Sequence, residues 1–92
     1  HAELLRLQAE LLLAQGAPVG EVEASYLQAI NVAHQQKARS LELRACICLA
    51  RLWQNAGRNG EARELLTPIY AWFTEGFHTQ DLQNARALLK EL

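Results

Sequence analysis

An internal repeat restricts the folds open to this chain more than any other feature of its sequence. The segment LRLQAELLLAQG at residues 5–16 recurs as CICLARLWQNAG at residues 46–57. Both segments have the spacing of apolar residues that is typical of helices. The small residues that match between the copies are Ala9 and Ala50, Gly16 and Gly57, and Gly20 and Gly60. A helical repeat of about 40 residues is typical of solenoids, which stack helix pairs and present binding surfaces.

The composition predicts one small all-helical domain that spans residues 1–92. Half of the 92 residues are hydrophobic (50%), and the chain contains only 5 Gly and 2 Pro. The 9 Lys and Arg against 10 Asp and Glu give a net charge of −1. This balance lacks the basic surface that binds nucleic acid or anionic lipid. No apolar stretch is long enough to cross a bilayer.

The two cysteines are expected to be small core residues of a protein in a reducing compartment. On a helix, Cys46 and Cys48 point about 200° apart, so they form neither a mutual disulfide nor a joint metal site. Two free thiols fit a cytoplasmic location. The chain contains no methionine, which indicates a segment of a longer protein.

Hydrophobic periodicity and start and stop signals predict five helices. Gly16 and Gly76 are expected to end the first and fourth helices, because glycine favours the left-handed conformation at helix ends. Ser40 and Thr79 are expected to cap the third and fifth. Pro68 lies inside the fourth segment, where we expect a kink in one continuous helix rather than a break into two. The predicted segments are residues 2–15, 21–36, 41–56, 59–76 and 79–92.

The third helix is predicted to lie in the middle of the fold, because it is apolar on nearly all sides. Its polar residues form a single stripe, made of Arg44, Arg51 and Asn55 and widened by Gln54. A polar stripe on an otherwise apolar helix marks the side that faces solvent or a ligand.

The spacing of small and large residues in both copies resembles the tetratricopeptide repeat. In that pattern, small residues let the two helices of a pair approach closely. The resemblance implies antiparallel helix pairs in a right-handed superhelix, with repeats at residues 2–39 and 40–76 and a capping helix at 79–92. The chain departs from the pattern in its bulkier Val22, in its longer second helix and in lacking a proline that closes either repeat. The matching residues are Ala9, Leu12, Gly16, Val22, Tyr26 and Ala29, then Ala50, Trp53, Gly57, Ala62, Leu66 and Ile69.

The segment at residues 65–92 is similar to the end of a group of large bacterial signalling proteins. Members of that group carry an adenylate or guanylate cyclase domain, or a winged-helix DNA-binding domain, followed by an ATPase module and helical repeats. The resemblance implies a non-catalytic module of a cytoplasmic regulator that binds a peptide, another protein or upstream domains of its own chain. Nucleic acid, membranes and cofactors are not expected among its direct partners.

The resemblance also places a ligand groove along the first helix of each pair. The forked guanidinium of arginine suits a peptide carboxylate in such a groove. Internal pairing is the alternative: Glu3 is equivalent to Arg44 in the repeat, and the two would neutralise each other. The same holds for Glu10 and Arg51. The candidate groove residues are Arg6, Arg44, Arg51, Gln54 and Asn55.

No sequence motif for a nucleophile, a phosphate loop or a metal site is present, so neither catalysis nor a metal is expected. His34 lacks an acidic or cysteine neighbour at helical spacing, and we expect a surface or half-buried side chain. His78 is expected to be solvated or to cap a turn.

Three aromatic residues near the predicted end of the fourth helix have two possible roles. Trp72, Phe73 and Phe77 either lock the last helix onto the second repeat or form a contact patch for a partner. Two alternatives to the interaction module concern the whole chain. One is a purely structural cap of a longer helical array, and the other is a module that dimerises through the exposed face of its first helix pair.

Overall fold

The structure, a computed structural model, describes residues 1–73 and 79–92. Within these ranges every regular element is a helix, which confirms the predicted all-α class. Phe77, His78 and Gly76, to which the sequence assigns roles, lie outside the described residues. The helices are α1 (Ala2–Ala14), α2 (Val19–Gln35), α3 (Arg39–Asn55), α4 (Asn59–Trp72) and α5 (Gln80–Glu91).

Helix α3 forms the centre of the fold, as its apolar character predicts. It contacts each of the other four helices. Leu43, Leu49 and Ala50 on this helix are almost completely buried. A helix that is covered on most sides needs apolar residues on most sides, and its exposed stripe is correspondingly narrow.

Matching residues of the two copies are completely buried. Ala9 on α1 and Ala50 on α3 have no solvent exposure, and neither do Val22 on α2 and Ala62 on α4. Small side chains at these positions allow close helix packing. Val22 is accommodated at the same kind of site although it is larger than alanine.

Three helices end in the same hydrogen-bonded turn. Gly16 follows α1 with φ 78° and Gly57 follows α3 with φ 77°, while Lys37 takes the equivalent position after α2 with φ 58°. In each turn a backbone N–H donates to the carbonyl five residues earlier, at 2.9 Å after α1, 2.8 Å after α3 and 2.9 Å after α2. This is the Schellman arrangement, which satisfies carbonyl groups left open at a helix end. Gly16 therefore ends its helix as predicted.

Two predicted boundaries are wrong for reasons of turn geometry. Helix α3 begins at Arg39 with Ala38 in the N-cap position and no side-chain cap, so Ser40 lies inside the first turn rather than capping it. The Schellman turn around Lys37 brings Ala38 directly to the new helix, because the Ala38 carbonyl accepts from Glu42 N–H at 2.9 Å. Likewise α2 begins at Val19, two residues before the expected start.

Helix α4 continues through Pro68, as predicted, but ends at Trp72 rather than at Gly76. Phe73 leaves the helical conformation with φ −83° and ψ 90°. Its side chain packs against the core and continues the spacing of the buried Leu66 and Ile69.

Helix α5 begins as predicted. Thr79 caps it by accepting a hydrogen bond from Leu82 N–H at 3.3 Å. Leu82, Ala85 and Leu88 form its buried face and complete the core that α3 and α4 begin.

Candidate functional site

Helices α1, α3 and α5 share one face of the molecule, and two hollows lie along it. The first, of about 460 Å³, lies between α1 and α3 and is lined among others by Glu10, Leu13 and Tyr26. The second, of about 190 Å³, lies between α3 and α5. Arg51 and Asn55 line both hollows. We call the two hollows and the ridge between them the α1–α3–α5 groove.

Arg51 is the exposed cation at the centre of this groove. The sequence allowed a pair between Arg51 and Glu10, and that expectation is wrong. Glu10 instead binds Nη1 of Arg6, one turn away on its own helix, at 2.6 Å. Arg51 forms no ion pair or side-chain hydrogen bond with another residue of the described ranges. Its guanidinium therefore faces the groove with all of its donors open.

Arg44, at the other end of the α3 stripe, is already occupied. The expected pair with Glu3 is present at 3.0 Å. Asp81 on α5 adds a second pair, with 3.2 Å from Arg44 Nε and 3.1 Å from Nη2 to its Oδ2 atom. The Asp81 hydrogen bond and charge raise the pKa of Arg44. This end of the stripe ties three helices together and offers few donors to a ligand.

Arg6 is a structural residue of α1 rather than a groove contact. It donates to both carboxylate oxygens of Glu3, at 2.8 and 3.0 Å. Its side chain is only 12% exposed. The hydrogen bond from Arg6, together with the charges of Arg6 and Arg44, lowers the pKa of Glu3 against the opposing effect of partial burial. Arg6 therefore keeps Glu3 ionised for the pair with Arg44.

The floor of the α1–α3 hollow is neutral. Burial raises the pKa of Tyr26 to about 12. Burial also raises the pKa of the Cys48 thiol. Both groups hold their protons at neutral pH, and Leu13 and Leu52 supply apolar walls. The hollow thus combines an apolar interior with a cation at its rim.

The other two polar residues of the stripe differ in their surroundings. Gln54 donates to Glu91 on α5 at 3.3 Å, so it helps to hold the last helix. Asn55 is exposed and lines both hollows beside Arg51. Of the four predicted stripe residues, Arg51 and Asn55 are those that the fold leaves open.

Trp72 and Phe73, the two described members of the predicted aromatic patch, contact each other but differ in exposure. Phe73 is partly buried and lines a hollow with Leu43 and the start of α5. The Trp72 ring meets it edge-on, with centroids 5.1 Å apart and planes at 82°, but is itself 55% exposed. Phe73 fits the locking role that the sequence suggested, whereas Trp72 remains accessible.

The sequence missed a polar cluster at the α2–α3 turn. No acidic residue follows His34 at helical spacing, yet Glu42 of the next helix lies 3.2 Å from its Nδ1 atom. Arg39 binds the same carboxylate at 3.0 Å. The spacing of Arg39 and Glu42, three residues apart on one helix, was the one local signal of this cluster.

Two further properties bear on the class of site. No group of three or more His, Cys, Asp or Glu side chains among residues 1–73 and 79–92 is arranged to hold a metal ion. In the same ranges no helix has the length and apolar character needed to span a membrane.

Comparisons of this chain with protein-family models, with curated proteins and with solved structures yield no match.

Proposed function

We propose that this chain is a non-catalytic interaction module that binds a peptide, or a segment of a neighbouring domain, in the α1–α3–α5 groove. One observation carries the proposal: Arg51 stands at the junction of two hollows with no partner in the described part of the chain. The α3 stripe would otherwise have been a purely internal ion-pair ladder, as its Arg44 end is.

The groove favours a ligand with a carboxylate next to an apolar side chain. Arg51 presents a planar fork of donors that matches a carboxylate, and Asn55 adds an amide beside it. The neutral hollow between α1 and α3 accepts the apolar side chain against Leu13 and Leu52. Glu10 lines the same hollow, and Arg6 is shared between Glu10 and Glu3, so the carboxylate of the ligand is favoured at Arg51 and disfavoured beside Glu10.

The resemblance to tetratricopeptide repeats supports this reading and extends it. In that arrangement the groove is the inner surface of a right-handed superhelix. The separate similarity of residues 65–92 extends the proposal to a host that is a cytoplasmic bacterial signalling protein or regulator. The buried equivalents Ala9 and Ala50, and the paired left-handed glycines Gly16 and Gly57, are the features of the chain that support it.

The groove is tested with a panel of short fluorescent peptides in which one acidic residue adjoins Leu, Ile or Phe. We expect Arg51→Gln to weaken the best peptide at least about tenfold, because a charge-assisted hydrogen bond is lost. Arg86→Gln on the exposed side of α5 is the matched control and should change nothing. Equal affinity of the Arg51→Gln variant and the unaltered chain would refute the groove.

A structural cap is the second candidate, favoured by how α5 is attached. Leu82, Ala85 and Leu88 bury its apolar face, and Arg44 and Gln54 hold its two ends. An outermost helix with an apolar inner side and a polar outer side is what closes a helical array. If capping is the whole function, removal of residues 79–92 should cause aggregation, and no peptide of the panel should bind the full chain.

A further inference from the structure

A third hollow lies on the side of α3 that faces away from the groove. It has a volume of about 220 Å³ and is enclosed by α2, α3 and α4. Cys46 lines it, whereas Cys48 lines the groove, because residues two apart on a helix point in nearly opposite directions. The floor is apolar and consists of Ile30, Cys46, Leu65, Pro68 and Ile69, and the rim consists of His34, Arg39, Glu42 and Trp72.

Trp72 forms a fixed apolar wall of this hollow. It is the one large exposed hydrophobic side chain outside the first helix pair in the described ranges. The Arg39 guanidinium lies 5.2 Å from its ring centroid, and the ring of Phe73 meets it edge-on. Contacts of this kind hold the indole in place, so little conformational entropy is lost on binding. Tryptophan and arginine are also the residues most enriched among binding hot spots.

The groups at the rim determine whether the hollow favours a ligand of positive or negative charge. The only carboxylate there, Glu42, is 8% exposed and already accepts from Arg39 at 3.0 Å, with His34 Nδ1 at 3.2 Å. The open donors are Arg39 Nε and Nη2 and the Trp72 indole N–H, none of which has a partner in the described residues. Because the donors are open and the carboxylate of Glu42 is already hydrogen-bonded, the rim favours an anion over a cation.

We propose that this hollow binds a peptide C-terminus that ends in a large apolar residue. Such a residue carries its carboxylate and its apolar side chain on one carbon atom. The side chain enters the hollow against Trp72 and Pro68, and the carboxylate receives hydrogen bonds from Arg39. This surface is separate from the α1–α3–α5 groove and does not depend on it.

The contacts of Arg39 inside the protein engage only one of its nitrogen atoms. The Nδ1 atom of His34 lies 3.0 Å from Arg39 Nη1 and 3.2 Å from Glu42 Oε2, and Glu42 Oε1 accepts from the same Nη1 atom at 3.0 Å. The Nε and Nη2 atoms therefore remain as the donors that a carboxylate can use.

The test uses N-acetylphenylalanine and its amide, which differ only in the carboxylate, titrated into the full chain. Binding is followed through the indole N–H resonance of Trp72 in two-dimensional NMR spectra. We expect the acid to bind at least about tenfold more tightly than the amide, as a charge-assisted hydrogen bond would provide. Arg39→Gln should remove this preference, and Arg63→Gln, which removes an equal charge from the exposed side of α4, should preserve it.

Further variants separate misfolding and other sites from the proposed one. Arg39→Lys keeps a cation next to Glu42 but loses the forked guanidinium. This variant should show an intermediate preference for the acid over the amide, with an unchanged circular dichroism spectrum. Equal binding of acid and amide, or a preference that survives Arg39→Gln, would overturn the proposal. So would a preference lost in Arg51→Gln and kept in Arg39→Gln, since the acid would then occupy the groove.

Discussion

At the scale of single residues, Lys37 carries a backbone cost that the glycines at equivalent turns do not. It is the only residue other than glycine with positive φ in the described part of the chain. The left-handed conformation costs an L-residue with a Cβ roughly 1 kcal/mol. We expect Lys37→Gly to raise the free energy of unfolding by about 0.5–1 kcal/mol, partly offset by the greater freedom of glycine in the unfolded chain.

Urea denaturation measures this change. Gln36→Gly is the matched control, because Gln36 has right-handed φ and ψ and gains nothing from glycine. Gly57→Ala should lower the free energy of unfolding by about 1 kcal/mol, for the converse reason. No atom lies within 4 Å of the Cβ that this change adds, so the cost is conformational and not steric. A destabilised Lys37→Gly variant would contradict the interpretation.

Cys46 makes stability depend on pH in the alkaline range. Burial raises the pKa of its thiol to about 12 from a usual value of 9.0. Between these values the native state holds a proton that the unfolded chain has released, so the free energy of unfolding falls as pH rises. From pH 8 to pH 10 we expect a loss of about 1 kcal/mol from this group.

Urea titrations at the two pH values test that loss. Burial raises the pKa of Cys48 and of Tyr26 as well, so the Cys46→Ala variant should retain a smaller alkaline decline that comes from these two groups. An identical decline in both chains would show that Cys46 does not cause it. The native thiol should also react slowly with alkylating reagents at pH 8, because little thiolate is present.

At the scale of helices, α3 determines whether the fold persists. Leu49 has no solvent exposure and lies in the core at the middle of this helix. We expect Leu49→Ala to lower the free energy of unfolding by about 3 kcal/mol, through lost burial and the cavity left behind.

The control is an exposed leucine. Leu11 on α1 is 61% exposed, and Leu11→Ala should change the free energy of unfolding by less than about 0.5 kcal/mol. Thermal denaturation followed by circular dichroism compares the two variants. Similar transitions for both would mean that α3 is not the central helix of the folded chain.

At the scale of the whole molecule, exposed apolar side chains are concentrated on the first helix pair. Leu4, Leu7 and Leu11 lie on one side of α1 and are all exposed. Their equivalents in the second copy include Ala45 and Leu52, which are buried inside the fold. The first copy thus leaves uncovered a helix face that the second copy packs against its neighbours. A second copy of the chain would cover it through an α1–α1 contact, the homodimer alternative raised by the sequence.

Sedimentation velocity over a wide concentration range tests this contact. Three leucines cover much less than the roughly 1,000 Å² of a stable interface, so we expect a weak dimer that forms only at high concentration. Leu4→Gln with Leu11→Gln should return it to a monomer, while Leu27→Gln on α2 should not. A chain that stays monomeric at its highest concentration would exclude the dimer.

The helices and most of their ends could be predicted because they depend on neighbours in the chain. The apolar spacing of α3, the left-handed Gly16 and the Thr79 cap each involve residues within one or two turns. The predicted end of α4 was wrong, because the apolar spacing of Leu66, Ile69 and Phe73 continues past the point where the helix ends, at Trp72.

For the same reason, the sequence predicted only part of the candidate site. The repeat made Glu3 and Arg44 equivalent, and the structure confirms their pair. It made Glu10 and Arg51 equivalent too, but Glu10 has a closer partner on its own helix. Two pairs that look alike in the sequence therefore differ in the fold, and the difference leaves Arg51 open.

The order of the amino acids is thus sufficient to specify five helices, their buried faces and a polar stripe on α3, because these follow from local backbone preferences and periodic burial. The packing of the helices determines which charged side chains form ion pairs with each other. Ion pairing falls off over a few ångströms, and distances between side chains more than a turn apart exist only once the helices are assembled. Packing joined Asp81 to Arg44, brought Glu42 to His34, and set the Arg39 guanidinium over the Trp72 ring at the rim of the hollow between α2, α3 and α4.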